Sequence, residues 1–255
     1  MELSEFTAAL NDLLDTQSFT EIDASPNGLQ VGHPDGRSIT HAAFAVDGVE
    51  ATIEAAMRHN ADILCVHHGI IWGGIERLTG VEYNRISALI QGNLPLYVSH
   101  LPLDSHPKYG NAAQLGSFLG STDQVPFGKY GDQHIGQLIT LPEPVDSTEI
   151  QMQLAELETG DRPVQTFAFG ASEIRDIAIV TGAGADWLRE ASDRGADALI
   201  TGEGKQQLYH EARELDLTVF LAGHYATETF GVQSIADVVE SWGIETTFIS
   251  HPTSL

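Results

Sequence analysis

Three short apolar runs in this chain each end in side chains that can bind a metal ion. The run 63–66 is followed by His67 and His68, the run 94–98 by the segment 99–104, and the run 218–222 by the segment 223–228. Short apolar runs between helical segments are typical of buried parallel strands. In α/β proteins, binding groups collect beyond the carboxyl ends of such strands. This repeated feature predicts an α/β fold in which separate segments supply one metal site.

Hydrophobic periodicity along the rest of the chain predicts an alternation of strands and helices. The predicted helices are 3–15, 49–58, 81–91, 109–119, 147–157, 185–194, 205–215 and 227–242. The predicted strands are 41–46, 63–66, 94–99, 134–140, 164–169, 174–181, 198–201, 218–222 and 246–249. We therefore expect two α/β lobes with mainly parallel sheets flanked by helices, and a metal site in the cleft between them.

A segment rich in Gly, Pro and Asp, 121–131, is predicted to cross from one lobe to the other. It divides the chain into an N-terminal lobe, 1–125, and a C-terminal lobe, 126–255. The segment 61–64 is echoed by 196–200, which indicates a weak internal duplication. Both halves are expected to contribute to one site.

The charge balance is strongly acidic, with 36 acidic against 12 basic residues and a net charge of −24. Contacts to phosphates come from Lys and Arg, so this balance argues against nucleic-acid binding and against a membrane-surface role. Dispersed acidic residues with few lysines resemble the composition of proteins from salt-accumulating halophiles, in which salt screens the repulsion. The charge therefore indicates a solvent of high salt concentration rather than a particular function.

The chain carries no sign of export or membrane insertion. Its first residues are acidic where a signal peptide would be basic, and no run approaches the roughly 18 apolar residues that span a membrane. The single cysteine, Cys65, lies in an apolar run and is predicted to be a core residue. We expect a cytoplasmic protein.

Five residues form the predicted metal site, although taken alone an adjacent histidine pair is more often a polar strand end, and a His–Glu pair four residues apart can be an ordinary pair at a helix start. Adjacent strand residues point to opposite faces, so His67 and His68 can each face a different ion. His224 and Glu228 lie one helical turn apart, and Asp104 adds a carboxylate from another strand end. Three imidazoles and two carboxylates suit two divalent ions about 3.5–4 Å apart. Imidazole ligands favour Zn, Fe, Ni or Mn over Mg or Ca.

Three further residues lie near these segments. His100 is expected to hydrogen-bond a ligand rather than bind metal itself. Glu203 and Lys205 either form a turn at a helix start or line the cleft as a polar wall. The chain has no Walker A motif, nucleotide-binding glycine fingerprint, nucleophile elbow or zinc-knuckle cysteine pattern.

The ordered set of motifs resembles the NIF-three-like family, the hexameric proteins with a dinuclear metal centre that are often labelled GTP cyclohydrolase I type 2 homologues. The segments that carry this resemblance are 27–32, 61–68, 100–104, 181–184, 197–205 and 223–228. The resemblance implies that His67, His68, Asp104, His224 and Glu228 bind two divalent metal ions, with carboxylate bridging the pair. It further implies two α/β lobes and a homohexamer built as a trimer of dimers. Some members of the family carry a domain inserted between the lobes, and this chain is expected to be too short for one. The chain departs from the pattern in 201–207, where relatives often have histidine after the lysine.

Three functional hypotheses remain open. The first is a metal-dependent hydrolase that acts on a nucleotide or a related heterocycle. The second is a metal-handling or metal-insertion protein, in which the same ligands deliver an ion. The third is a regulatory or assembly partner whose metal pair is structural. An open coordination position would favour the first, and rapid metal exchange the second. Complete ligation by protein side chains would favour the third.

Overall fold

Two β-sheets flanked by helices make up the computed structural model, which describes residues 1–33, 36–157, 160 and 162–255. The strands are β1 (Gly28–Val31), β2 (His41–Asp47), β3 (Ile63–His68), β4 (Leu96–Val98), β5 (Asp123–Tyr130), β6 (Gln133–Asp146), β7 (Gln165–Phe167), β8 (Glu173–Ile179), β9 (Ala198–Thr201), β10 (Thr218–Leu221) and β11 (Glu245–Phe248). The helices are α1 (Leu3–Leu13), α2 (Glu50–Arg58), α3 (Gly80–Gln91), α4 (Leu101–Ser105), α5 (Asn111–Phe118), α6 (Ser147–Leu154), α7 (Leu188–Asp193), α8 (Gln206–Glu214) and α9 (His224–Ser241). Short 3-10 turns occupy Thr16–Phe19 and Gly184–Trp187. The predicted α/β class is confirmed.

The first compact unit consists of Met1–Leu103 and Val232–His251. Its sheet has the order β1-β4-β3-β2-β11, and its strands are parallel except for the antiparallel pair β1–β4. Leu64, Val66 and Val98 belong to a buried cluster on this sheet, which also includes Ile53 of α2 and Leu89 of α3. Burial of each such side chain stabilises the unit by about 1.5–3 kcal/mol. This packing fixes the end of β3, where the histidine pair lies.

The second compact unit consists of Asp104–Gly231 and Pro252–Leu255. Its sheet has the order β5-β6-β8-β9-β10-β7. The pairs β8–β9 and β9–β10 are parallel, and the pairs β5–β6, β6–β8 and β10–β7 are antiparallel. Ile177, Ile179, Ile200 and Phe220 lie in its buried core. The expectation of mainly parallel sheets therefore fits the first sheet, while the second is mixed.

The segment predicted to cross between the lobes is a strand. Most of 121–131 forms β5, which pairs antiparallel with β6 at the edge of the second sheet. Pro126 within this strand is compatible with an edge position, because an edge strand has one side without ladder hydrogen bonds. The predicted division at 125/126 differs from that of the structure, which divides between Leu103 and Asp104 and returns Val232–His251 to the first unit. The reason for that return is the pairing of β11 with β2.

Helix α9 begins at His224, three residues before the predicted start. His224 and Glu228 therefore both belong to α9 and lie about one turn apart, in agreement with their four-residue spacing. Among the helices of the described residues, none combines the length and the apolar character needed to cross a membrane.

Candidate metal centre

Two adjacent histidines end β3, and each hydrogen-bonds a residue that ends or directly follows a neighbouring strand. His67 is fully buried, and its Nδ1 donates to the carbonyl oxygen of Ser99, which follows β4, at 2.9 Å. His68 lies opposite Asp47 in the parallel register of β2 and β3, and its Nδ1 donates to Asp47 Oδ1 at 2.8 Å. Because a carbonyl oxygen only accepts, Nδ1 of His67 carries the proton. Its Nε2 then has the lone pair that a metal ion requires.

His100 is held in the same way by a buried carboxylate. Its Nδ1 donates to Asp23 Oδ1 at 2.9 Å, and the Asp23 side chain is only 1% exposed. Asp23 also accepts hydrogen bonds from the Asn27 amide and from the backbone of Ser25 and Leu101. Burial raises the pKa of Asp23, but the hydrogen bonds and charge of His100, with those from Asn27 and Ser25, more than offset this and lower it. A charged Asp23 therefore orients the His100 ring.

His67, His68 and His100 form one cluster in the first unit. One ligand atom of each lies within 4.8 Å of the ligand atoms of the other two. Metal-binding histidines characteristically donate their second ring nitrogen to a carboxylate or a backbone carbonyl, and all three do so here. The donor set therefore fits a divalent transition metal. This geometry groups His100 with the histidine pair, and its expected role, to hydrogen-bond a ligand rather than bind metal itself, stays a prediction.

In the second unit, His224 lies between two carboxylates. Its Nε2 is 3.3 Å from Glu228 Oε2, and its Nδ1 is 3.1 Å from Glu203 Oε1. Burial lowers the pKa of His224, but the hydrogen bonds and charges of Glu228 and Glu203 outweigh burial and raise it to about 9. An environment that favours a positive charge on imidazole also favours a bound cation. His224 and Glu228 thus meet as their spacing predicted.

Gly182 holds the loop that faces this pair. Its φ is +58°, in the left-handed region that favours glycine. Its N–H donates to Thr227 Oγ1 at 3.1 Å, and its carbonyl oxygen accepts from the backbone of Glu203 at 3.0 Å. A Cβ at this position would collide with Glu228 Oε1 and lie 2.9 Å from His224 Nε2. The backbone approaches the two side chains closely because residue 182 has no side chain.

Asp104 is buried in the second unit and held by a buried amide. Asn111, at the start of α5, donates from Nδ2 to Asp104 Oδ1 at 2.8 Å. The Oδ1 of Asn111 accepts from the N–H of Gly231 at 2.7 Å, so the amide is fixed at both ends. Thr181 Oγ1 lies 3.4 Å from the same Asp104 oxygen. These contacts orient the carboxylate, and its role as a ligand remains a prediction.

Lys205 and Glu203 have different surroundings. The Nζ of Lys205 forms an ion pair with Asp186 Oδ2 at 2.5 Å, and both side chains are at least half exposed. Lys205 directly precedes α8, as a residue at a helix start would. Glu203, by contrast, contacts the predicted ligand His224.

Four residues around these histidines and carboxylates were not predicted from the sequence. Asp47 could have been found, because it ends a predicted strand parallel to the one that ends in His68. Asp23 lies in a turn-rich segment without a distinctive pattern, and the amide of Asn111 that contacts Asp104 is fixed by Gly231, 120 positions away. Trp72, whose ring centroid is 5.0 Å from that of His100, follows the histidine pair in a loop. Contacts of this kind depend on tertiary structure, which local patterns do not encode.

Comparison with known proteins places this chain among close relatives. A family model described as Duf34/NIF3 (NGG1p interacting factor 3) matches residues 1–254. Relatives called GTP cyclohydrolase 1 type 2 homolog are 52% identical in Halobacterium salinarum and 42% identical in Pyrococcus abyssi, each over 100% of both chains. The crystal structure of TTHA1606 from Thermus thermophilus is 33% identical, with a TM-score of 0.90 over 100% of both chains. The resemblance drawn from the motifs is confirmed.

Proposed function

The chain belongs to the Duf34/NIF3 family, and on that premise we propose that it is a dinuclear metal-binding protein that acts as a metal-dependent hydrolase. The proposed ligands of the two ions are His67, His68, Asp104, His224 and Glu228. The proposed substrate is a nucleotide or a related heterocycle. The name GTP cyclohydrolase 1 type 2 homolog, carried by the relatives, supports this substrate class.

The observation that carries the proposal is the hydrogen bonding of the histidines. His67 and His68 each direct Nδ1 to an oxygen atom, which orients the ring and makes Nε2 the metal-binding nitrogen. His224 lies between two carboxylates, where a positive charge is stabilised. This mixed nitrogen and oxygen donor set suits Zn, Fe, Mn or Ni.

Bound divalent ions would supply Lewis-acid polarisation and activation of water. The chain's own residues would hold the ligands in place. Asn111 orients Asp104, and the close approach of Gly182 limits the positions that the Glu228 carboxylate can take. The motifs include no separate Ser, Cys or Lys nucleophile, which favours water as the attacking group.

Hydrolysis is tested with protein reloaded with each metal and assayed in molar salt against a panel of nucleotides. We expect turnover by the unmodified protein and its loss in Asp104→Asn and in Glu228→Gln. Glu54→Gln is the matched control, because Glu54 is exposed and pairs with the exposed Arg58 in the same helix. Turnover that survives both ligand substitutions, or that is absent with every metal, would overturn the hydrolase proposal.

A metal-handling role is the alternative, and the accessibility of two ligands favours it. The side chains of His68 and His224 are 19% and 26% exposed, so solvent reaches both. An ion bound to exposed ligands exchanges more readily than one enclosed by protein. Exchange within seconds against a chelator, without nucleotide turnover, would support delivery of metal. Retention of both ions for hours would point instead to catalysis or a structural metal pair.

We also propose a homohexamer, a trimer of dimers. Several large apolar side chains in and just before α3 are exposed, which is typical of a surface that another subunit covers. Their exposed fractions are Ile75 56%, Val81 57%, Tyr83 53% and Ile90 66%. Light scattering in molar salt should give a mass six times that of the chain. A monomer at micromolar concentration would contradict this assembly.

A further inference from the structure

A tryptophan lies beside the histidine cluster with nearly half of its surface exposed. Trp72 is 46% exposed and belongs to the loop between β3 and α3. Its ring centroid is 5.0 Å from that of His100, at an interplanar angle of 79°, and 6.1 Å from that of His68. A side chain of this size usually contributes to a core or an interface. Here it stands at the edge of a candidate metal centre.

Hydrogen bonds hold the loop on both sides of Trp72. Gln30 Oε1 accepts from the backbone of Ile70 and Ile71, at 3.0 and 3.2 Å. Gly73 N–H donates to the carbonyl oxygen of Ala24 at 2.7 Å. The indole Nε1 donates to the carbonyl of Gly69 at 3.1 Å, so the polar edge of the ring is satisfied within its own loop. The exposed part of Trp72 therefore offers a ligand its aromatic face, and hydrogen bonds fix the backbone that carries the ring.

The electrostatics near the cluster disfavour recognition through phosphate. The carboxylates of Asp23 and Asp47 accept hydrogen bonds from His100 and His68, respectively, and place negative charge next to the cluster. The chain as a whole has 12 basic residues against 36 acidic ones. Lys205, the basic residue of the segment 201–207, already pairs with Asp186. A planar ring needs no cation from the protein, because every nucleobase has a π-face that stacks on an aromatic side chain.

We propose that Trp72 is the stacking platform for a planar nitrogen heterocycle, such as a nucleobase, bound beside His67, His68 and His100. This inference rests on the proposed function, since it specifies which part of the substrate the protein recognises. It assigns recognition to the ring and not to the phosphates. Guanosine should therefore bind metal-loaded protein about as tightly as guanosine monophosphate, and ribose 5-phosphate should bind far more weakly.

The test compares four proteins: the unmodified chain, Trp72→Phe, Trp72→Leu and the control Trp187→Phe. Trp187 belongs to the second unit, where it contacts Tyr130 and donates to the Lys129 carbonyl. Calorimetry gives the affinity for guanosine, tryptophan fluorescence reports stacking, and elemental analysis gives the metal content. We expect guanosine to quench the fluorescence of the unmodified chain and of Trp187→Phe. Trp72→Phe should keep its affinity within about threefold but lose most of the quenching, and Trp72→Leu should lose at least about tenfold in affinity.

The outcomes separate this inference from the proposed function. Should all four proteins hold their metal while Trp72→Leu binds guanosine as tightly as the unmodified chain, the stacking role is overturned and the metal centre stands. Absence of metal from the unmodified chain would instead overturn the proposed function. A loss of oligomeric mass in Trp72→Leu without a change in guanosine affinity would make Trp72 a subunit contact, which also overturns the stacking role.

Discussion

The backbone conformation of Gly182 affects the position of a predicted metal ligand, Glu228. Gly182→Ala should cost about 1 kcal/mol of unfolding free energy, because L-residues are strained at its positive φ. It should also displace the Glu228 carboxylate, which the new Cβ would meet. We expect at least about a tenfold loss of metal affinity, corresponding to about 1.4 kcal/mol. Competition with a chromogenic chelator measures it.

Gly195→Ala is the matched control for that prediction. Gly195 has φ +74°, but a Cβ there has no neighbour within 4 Å among the described residues. This variant should therefore show a similar loss of unfolding free energy with unchanged metal affinity. Equal metal affinity in Gly182→Ala and Gly195→Ala would show that Glu228 tolerates the displacement.

The predicted ligands can be recognised from local sequence patterns, whereas most of the residues that orient them cannot. His67 and His68 stand out because an apolar strand ends in them, and His224 and Glu228 because of their four-residue spacing. Asp23 contacts His100 across 77 positions, and the Asn111 amide that contacts Asp104 is itself fixed by Gly231 across 120 positions. Such partners are set by tertiary packing, so a single sequence does not reveal them. The same holds for the ring contact between Trp72 and His100.

At the scale of elements, the echoed segments have the same local structure. Asp62 precedes β3, and its Oδ2 accepts from the backbone N–H groups of Thr40 and His41 at the start of β2. Asp197 precedes β9, and its Oδ2 accepts from the backbone N–H groups of two successive residues in β8. The N–H of Asp62 donates to the carbonyl oxygen of His41, and the N–H of Asp197 donates to the carbonyl oxygen of Asp176. Each aspartate therefore ties the start of one parallel strand to its neighbour, which gives the internal repeat a structural basis.

Asp62 should make stability depend on acidity. Burial raises its pKa, but hydrogen bonds from Thr40 and His41 outweigh burial and lower it from 3.8. A depressed pKa contributes stability that is present above the unfolded value and is lost as pH falls through the folded one. Asp62→Asn should therefore lower the unfolding free energy by about 1 kcal/mol at pH 7 and flatten its dependence below pH 4. Denaturant titrations between pH 2 and 7 measure both effects, with Glu54→Gln as the control, and an unchanged slope would contradict this role.

The elements that periodicity predicted well are those with continuous apolar runs, such as β3, β9 and β10. The strand β5 was missed because Pro126, Gly128 and exposed polar residues give it the composition of a loop. It is a strand because antiparallel pairing with β6 provides backbone hydrogen bonds along one of its sides. The membership of β11 in the first sheet was also missed, since pairing with β2 joins distant parts of the chain.

For the whole molecule, the net charge of −24 predicts a requirement for salt. The Debye length is about 10 Å at 0.1 M ionic strength and about 3 Å at 1 M, so repulsion between acidic surfaces is screened only in concentrated salt. A hexamer would bring six such chains together. We expect native circular dichroism and hexameric mass in molar salt, with dissociation and unfolding as salt falls toward 0.1 M. An intact hexamer with unchanged melting at low salt would contradict this prediction.

The number of metal ions per chain tests the central claim most directly. Protein purified without chelator and reloaded in molar salt is analysed for metal content, together with His68→Ala and Glu228→Ala. The control is His59→Ala, because His59 is an exposed histidine that directly follows α2. We predict two ions for the unmodified chain and for His59→Ala, and the loss of at least one ion in His68→Ala and in Glu228→Ala with native circular dichroism retained. One ion or fewer in the reloaded unmodified chain, or two in either ligand variant, would contradict the dinuclear site.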